Sequence, residues 1–388
     1  MAKALDGITP LNSSTVPARA LRAVAGLRLA LGLAALLGAL VFLEGTSWDI
    51  QWHSYIGRDR TLIPPHLMML SGVALSGVAG LLTVLIESWW ARRNQLVVQH
   101  SQAFAGVFAG PLGSYVVGYA ALLAAVAFPL DAYWHTLYGI DVAIWAPFHI
   151  MFVSSMGVVA LGAAYMLASV ARLAAGNGMK RAATLGVALA LATFLSLFTL
   201  LLFDALDDGN TINLEFMTLN FFPLLSDILV ALSLVVAAIA IPWRWAATLV
   251  AACYLFLAGI MAVFVRPATD WLLTKEGLHY LRSHPPRSAV ALEWFLMPLV
   301  VAFLVDIIVR RAQCKSWSRG KLTLILALIA SLSGALPVIA IHPFLPVSLF
   351  LGWGITGFLV SNVLGFAGAY LGALLGRSAG ESLSVLEK

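Results

Sequence analysis

Two stretches of this chain set a carboxylate and two imidazoles at a repeating spacing. The first reads WDIQWHSYIGRDRTLIPPHLMM and the second LDAYWHTLYGIDVAIWAPFHIMF. Aligned, they share D-x-x-W-H-x-x-x-G-x-D followed by P-x-H. The first copy supplies Asp49, Trp52, His53, Gly57, Asp59, Pro64 and His66. The second supplies Asp131, Trp134, His135, Gly139, Asp141, Pro147 and His149, with one extra residue between its second Asp and the Pro. An internal repeat of this kind points to two similar structural units.

An Asp and a His four apart share one face of a helix. A following Gly suits a helix C-cap, and Pro suits the first turn of the next helix. A tight hairpin then brings the last His back opposite the Asp/His pair. Asp49, His53 and His66, and likewise Asp131, His135 and His149, converge as three ligands for a divalent ion. By ligand chemistry alone this set fits Cu(II), Zn(II) or non-haem Fe(II), and three protein ligands leave coordination positions open. Asp59 and Asp141 are placed to orient a ligand His from behind. Trp52 and Trp134 either shield the site or belong to an interfacial aromatic belt. Each Asp/His pair also has a plainer reading as an ion pair at a helix end.

The elements that must carry these motifs are membrane helices. Of 388 residues, 61% are hydrophobic and only 11% charged, against about 25% charged in soluble domains. About 20 apolar residues cross a bilayer core. By that measure ten spans are expected, near 22–43, 65–88, 103–129, 147–174, 182–203, 216–241, 245–266, 289–309, 321–341 and 345–376. The last is Gly-rich, so a kink or tilt is expected. The fold class is all-α, a polytopic bundle of five helical hairpins, with no strands.

Lys and Arg concentrate in one set of loops, including Arg92, Arg93, Lys180, Arg181, Arg310, Arg311 and Lys315. The positive-inside rule makes that set cytoplasmic, together with both termini. The hairpins then turn outward near 44–64, 130–146, 204–215, 267–288 and 342–344. Both motifs face the periplasm or the cell exterior. Residues 1–18 read as a disordered tail, 19–175 as a four-helix metal-binding region, 176–377 as a six-helix region and 378–388 as a C-terminal tail. The net charge of +5 reports topology, not nucleic-acid binding. Cys253 and Cys314 form no thiolate pattern, and no phosphate-binding Gly-rich loop follows a strand. The carboxylate at each site argues against haem held by a His pair.

The spacings resemble those of the C-type membrane subunit of the copper membrane monooxygenases, which oxidise methane, ammonia or short hydrocarbons. That family carries an Asp-x3-His-x12-His triad, matched in spacing by Asp49, His53 and His66. Further along it carries an Asn-x3-His-x13-His triad, matched in spacing and order by Asp131, His135 and His149. The resemblance covers roughly residues 22–175 and implies copper at both positions, with oxygen chemistry there. Asp131 stands where the family has Asn, which sets the second site apart. Spans five to ten have no counterpart, and the family's catalytic complex contains other subunits.

Other polar residues carry weaker expectations. Asp204 and Asp208 are four apart in an acidic turn without His, and either add ligands or form a solvated loop. Asp270, His279 and His284 read as a surface loop, and His342 as interfacial. Glu293 lies near the motif side, placed to complete a site or relay protons. Asp306 has Arg310 four residues on for a partner, and Asp227 has none in the sequence. Three functions follow: a copper oxygenase taking a small substrate from the bilayer; a copper transporter, acquisition factor or metallochaperone, working with other membrane subunits or a periplasmic copper protein; and a structural subunit of a larger membrane complex.

Overall fold

The computed structural model describes residues 16–56, 62–139, 145–173, 176–206, 211–281, 292–335 and 348–385. The four-helix region comprises α1 (Val16–Ile56), α2 (Pro64–Ala91), α4 (Leu112–Tyr138) and α5 (Pro147–Leu173), with a short α3 (Gln95–Gln99) and strands β1 (Gln102–Phe104) and β2 (Phe108–Gly110) between α2 and α4. The rest comprises α6 (Asn177–Leu206), strands β3 (Thr211–Leu214) and β4 (Met217–Asn220), α7 (Phe222–Ala240), α8 (Ala246–Glu276), α9 (Leu292–Cys314), α10 (Arg319–Ala330) and α11 (Ser348–Val385).

Among the described residues, eight helices are long and apolar enough to cross a membrane: α1, α2, α4 to α8, and α11 from Gly354. Their outward side chains are apolar as well, for instance Leu122 (61% exposed) and Val263 (75% exposed). Water would make that surface costly, whereas lipid would not. The chain is thus a multi-pass helical membrane protein. The expected crossings at 289–309 and 321–341 fall on α9 and α10. As described, α10 has 12 residues, fewer than the roughly 20 a crossing needs.

Two expectations need correction. Strands do occur, as two antiparallel hairpins, β1 with β2 and β3 with β4. The first takes the opening residues of the expected 103–129 span. There Ala105 and Gly106 both adopt positive φ (51° and 68°), which turns the chain back, so the helix starts only at Leu112. In addition α11 runs to Val385, into the segment read as a C-terminal tail. The kink expected in the Gly-rich last span is present: Gly354 has φ 66° inside α11. Residues 1–15 of the N-terminal tail lie outside the described residues.

The four-helix region is two antiparallel hairpins side by side, α1 against α2 and α4 against α5, with α2 touching α4 and α1 touching α5. Lipid gives no hydrophobic drive between helices, so close backbone approach at small residues must hold them. Each hairpin has such a crossing. A Cβ on Gly38 would lie 2.5 Å from the Gly72 carbonyl oxygen, and one on Gly113 would lie 2.4 Å from that of Gly162. Ser76 reinforces the first by donating to the Ala35 carbonyl at 3.0 Å. At the far end from the motifs, Arg28 on α1 and Glu87 on α2 form a buried two-pronged pair, Nε–Oε1 2.7 Å and Nη2–Oε2 2.8 Å. Ser101 donates to Glu87 and the His100 carbonyl accepts from Arg28.

Charged groups deeper in the bundle find partners that no local pairing rule supplies. Asp306 was expected to pair with Arg310. Instead it accepts from the backbone N–H groups of Ala247 and Thr248, at 3.1 and 2.9 Å, and from the Thr248 hydroxyl. It therefore caps the N-terminus of α8 from another helix, where orphan N–H groups and the helix dipole favour a carboxylate.

The helix crossing and the buried ion pair can each be tested by substitution. Gly72→Val should destabilise the protein by about 1–3 kcal/mol through overpacking in detergent unfolding. Gly118→Val, with nothing within 4 Å of its Cβ, should change it by less than about 0.5 kcal/mol. Glu87→Ala should cost about 3–5 kcal/mol by stranding Arg28, and the paired Arg28→Met, Glu87→Leu variant should recover most of that loss.

Candidate metal centres

The helix ends expected from the motif are built as the sequence requires. α1 continues past the apolar run to Ile56, carrying Asp49 and His53 one turn apart on one face. Ile63 caps α2 with Pro64 and Pro65 in its first turn, so His66 follows as the third helical residue. In the second copy α4 carries Asp131 and His135, and α5 opens on Pro147 with His149 again third.

Each hairpin closes its triad. Asp49 Oδ1 lies 3.5 Å from His53 Nε2 and 3.0 Å from His66 Nε2. Asp131 Oδ2 lies 3.4 Å from His135 Nε2, and its Oδ1 lies 3.3 Å from His149 Nε2. Within each triad one ligand atom per residue lies within 4.8 Å of the others, and among the described residues these are the two groups of this kind. Both sit at the same end of the bundle, because the His66 ring meets Phe128 edge-on at 5.8 Å, three residues before Asp131. Phe128 and Phe42 both pack on Phe152, forming an aromatic wall beneath the first triad.

The spacings can be set against those of an ion pair and of a metal cage. Charge-assisted N–H···O bonds are about 2.7–2.9 Å long. Ligand atoms about 2.0–2.2 Å from one ion stand roughly 3.0–3.5 Å apart. All four nitrogen–oxygen distances fall in the second range. Oδ1 of Asp49 and of Asp131 is buried and faces His66 and His149 Nε2 respectively. The donor set therefore fits a divalent ion with two imidazole and one carboxylate ligands.

The second triad shows how a ligand is aimed. Gly139 ends α4 with φ 85° and ψ −178°, its N–H bonded to the His135 carbonyl. Its own carbonyl oxygen lies 3.1 Å from His135 Nδ1. A carbonyl only accepts, so Nδ1 carries a proton, and in the neutral ring the lone pair is on Nε2. Nε2 faces Asp131 Oδ2 at 3.4 Å, a separation that a proton on Nε2 or a metal ion between them would satisfy. The motif Gly thus ends the helix and orients the imidazole from behind.

The triads differ in exposure. His53 and His66 side chains are 10% and 12% exposed, His135 and His149 13% and 26%. Trp52 is buried inside the bundle, so it is core packing and not an interfacial belt. Trp134 packs tilted against Tyr138 and meets Phe148 edge-on, bracing the second hairpin.

Among the further candidates, Asp59, Asp141, Asp208, His284, His342 and the motif Gly57 lie outside the described residues. Asp204 lies in the last turn of α6 and Glu293 in the first turn of α9, but their side chains are not among those described. His279 is exposed, and Asp270 accepts from the Tyr280 hydroxyl at 2.5 Å, as a surface loop would. Burial raises the Tyr280 phenol above its ordinary range, and the Asp270 carboxylate raises it further. Sequence reading missed the Arg28–Glu87 pair. Its signal was an Arg within the first apolar run and a Glu near the end of the second. Comparison with models of known families, with curated proteins and with solved structures finds no match.

Gly139→Ala should expose this aiming device. The Gly139 conformation is nearly confined to glycine and should cost alanine about 1–3 kcal/mol. Losing the carbonyl behind His135 should weaken metal binding at the second triad by about 10–100-fold. Isothermal titration beside wild type should show the first triad unchanged.

Proposed function

We propose that the chain is a copper-binding integral membrane protein, with both triads toward the periplasm or cell exterior, that activates dioxygen toward a small apolar substrate or ammonia. One observation carries the metal: two independent hairpins each bring a carboxylate oxygen and two imidazole nitrogens to the separations one ion requires. Zinc and iron satisfy the same donors. Copper is chosen on the resemblance of the spacings to the C-type membrane subunit of the copper membrane monooxygenases. The outward orientation rests on the Lys and Arg distribution.

Bound there, copper would supply open coordination positions and a reversible one-electron change. The chain's own residues set the surroundings. Asp49 and Asp131 bring negative charge to each centre. Gly139 fixes the protonated nitrogen of His135 away from the ion. Phe128 covers one side of His66, so the first triad is approached from the other side.

Copper handling is the second reading, favoured by the exposure of His149. A ligand reachable from water suits transfer of the ion to or from a soluble periplasmic copper protein. Oxygen uptake and copper flux in vesicles separate the two. The oxygenase reading predicts uptake that rises with ammonia or a short hydrocarbon and falls in His53→Ala. Uptake indifferent to every such substrate, beside active copper flux, would overturn it.

Metal content is the prior test. After copper loading, purified protein should hold about two equivalents by elemental analysis, with about one lost in His53→Ala and one in His135→Ala. Retention should fall as pH is lowered, because ligand imidazoles must be deprotonated. Protein free of copper, zinc and iron after loading would end the proposal.

A further inference from the structure

The part of the bundle built from α7, α10 and α11 holds an acid that the triads do not use. Asp227 lies on the second turn of α7 and is fully buried. Its Oδ1 accepts the Gly334 N–H at 2.7 Å. Its Oδ2 is buried and takes no hydrogen bond among the described residues. The oxygen is walled by backbone, since a Cβ on Gly334 or Gly365 would lie 2.9 or 2.7 Å from it. Ser333, beside Gly334, has a buried hydroxyl without a partner. Ser333 and Ser226 line a cavity of about 20 Å³ with Tyr254 and Thr199, room for roughly one water.

No basic group among the described residues pairs with this acid. Asp306 sits at the N-terminus of α8, level with the C-terminal end of α7. Arg377 on α11 is bonded to Arg319 and Thr323 on α10. The neighbouring Gly376 packs on Leu232, again toward the C-terminal half of α7. Tyr254 on α8 donates to Thr199. Glu293, at the start of α9, has no described side chain. One N–H does not compensate an ionised carboxylate inside a span, so positive charge has to come from a bound species. The glycine walls admit only a small one.

We propose that Asp227 binds a small hard monovalent cation, H⁺ or Na⁺, at Oδ2 between α7, Gly334 and Gly365. The site is independent of the copper reading.

Infrared spectra of metal-free wild-type and Asp227→Asn protein in lipid nanodiscs test this. Asn keeps the Oδ1 acceptor for Gly334 and removes the charge. A proton site predicts a carboxylic-acid C=O band at neutral pH that shifts in D₂O and is absent from Asp227→Asn. A sodium site predicts a carboxylate band that shifts when choline is replaced by Na⁺, again in wild type alone. A difference spectrum assigning Asp227 as an ionised carboxylate indifferent to Na⁺ would overturn the proposal. Should Asp227→Asn fail to fold, Gly365→Ala keeps the acid and places a methyl 2.7 Å from Oδ2. Its band or Na⁺ response should then be shifted or lost, and an unchanged one would contradict the site.

Discussion

In each triad a carboxylate oxygen lies 3.0–3.5 Å from two imidazole Nε2 atoms, an arrangement that holds together only with a proton or a metal ion between the facing atoms. At the end of an apolar hairpin that requirement is stricter, because little water is present to screen the carboxylate. Much of the surrounding architecture serves to hold this arrangement. α1 and α4 are extended beyond their apolar runs so that Asp and His stand on one face. Proline begins α2 and α5 so that a His returns in the third helical position. Glycine crossings, Gly38 on Gly72 and Gly113 on Gly162, bring each pair of backbones close enough to fix the return. Gly45 adds a contact one turn below Asp49, where a Cβ would meet Met69 at 2.9 Å.

The two hairpins repeat this solution without copying every detail. The first triad is the more enclosed, with a Phe128–Phe152–Phe42 wall beneath it. The second opens further to the surroundings through His149. The two triads therefore share a geometry but differ in their access to the surroundings. The remaining helices add their own polar solutions. The Arg28–Glu87 pair locks the opposite end of the first hairpin, and Asp306 caps α8 from α9. Each is a charge the bilayer would penalise if left alone.

The helical class, the hairpin order of the first region and both triads were legible because they rest on short-range rules: apolar run length, i,i+4 spacing, and Gly and Pro at helix ends. What was not legible depends on which helices meet. Asp306 has Arg310 at a local pairing distance in sequence, yet the N-terminus of α8 offers it three donors. Gly334, 107 residues from Asp227, could not be anticipated from either neighbourhood. The β1–β2 hairpin escaped notice because Phe104, Val107 and Phe108 are as apolar as a span. Only the positive φ at Ala105 and Gly106 diverts them. Trp52 was readable as an interfacial residue from its position, but helix rotation turns it into the core.

The central claim is that copper is held by these imidazoles and not adventitiously elsewhere. Electron paramagnetic resonance of the Cu(II)-loaded protein, with pulsed detection of nitrogen couplings, addresses it most directly. The account predicts two copper signals, each coupled to two imidazole nitrogens, one abolished in His66→Ala and the other in His149→Ala. Copper without imidazole coupling, or a spectrum unchanged in both variants, would contradict it.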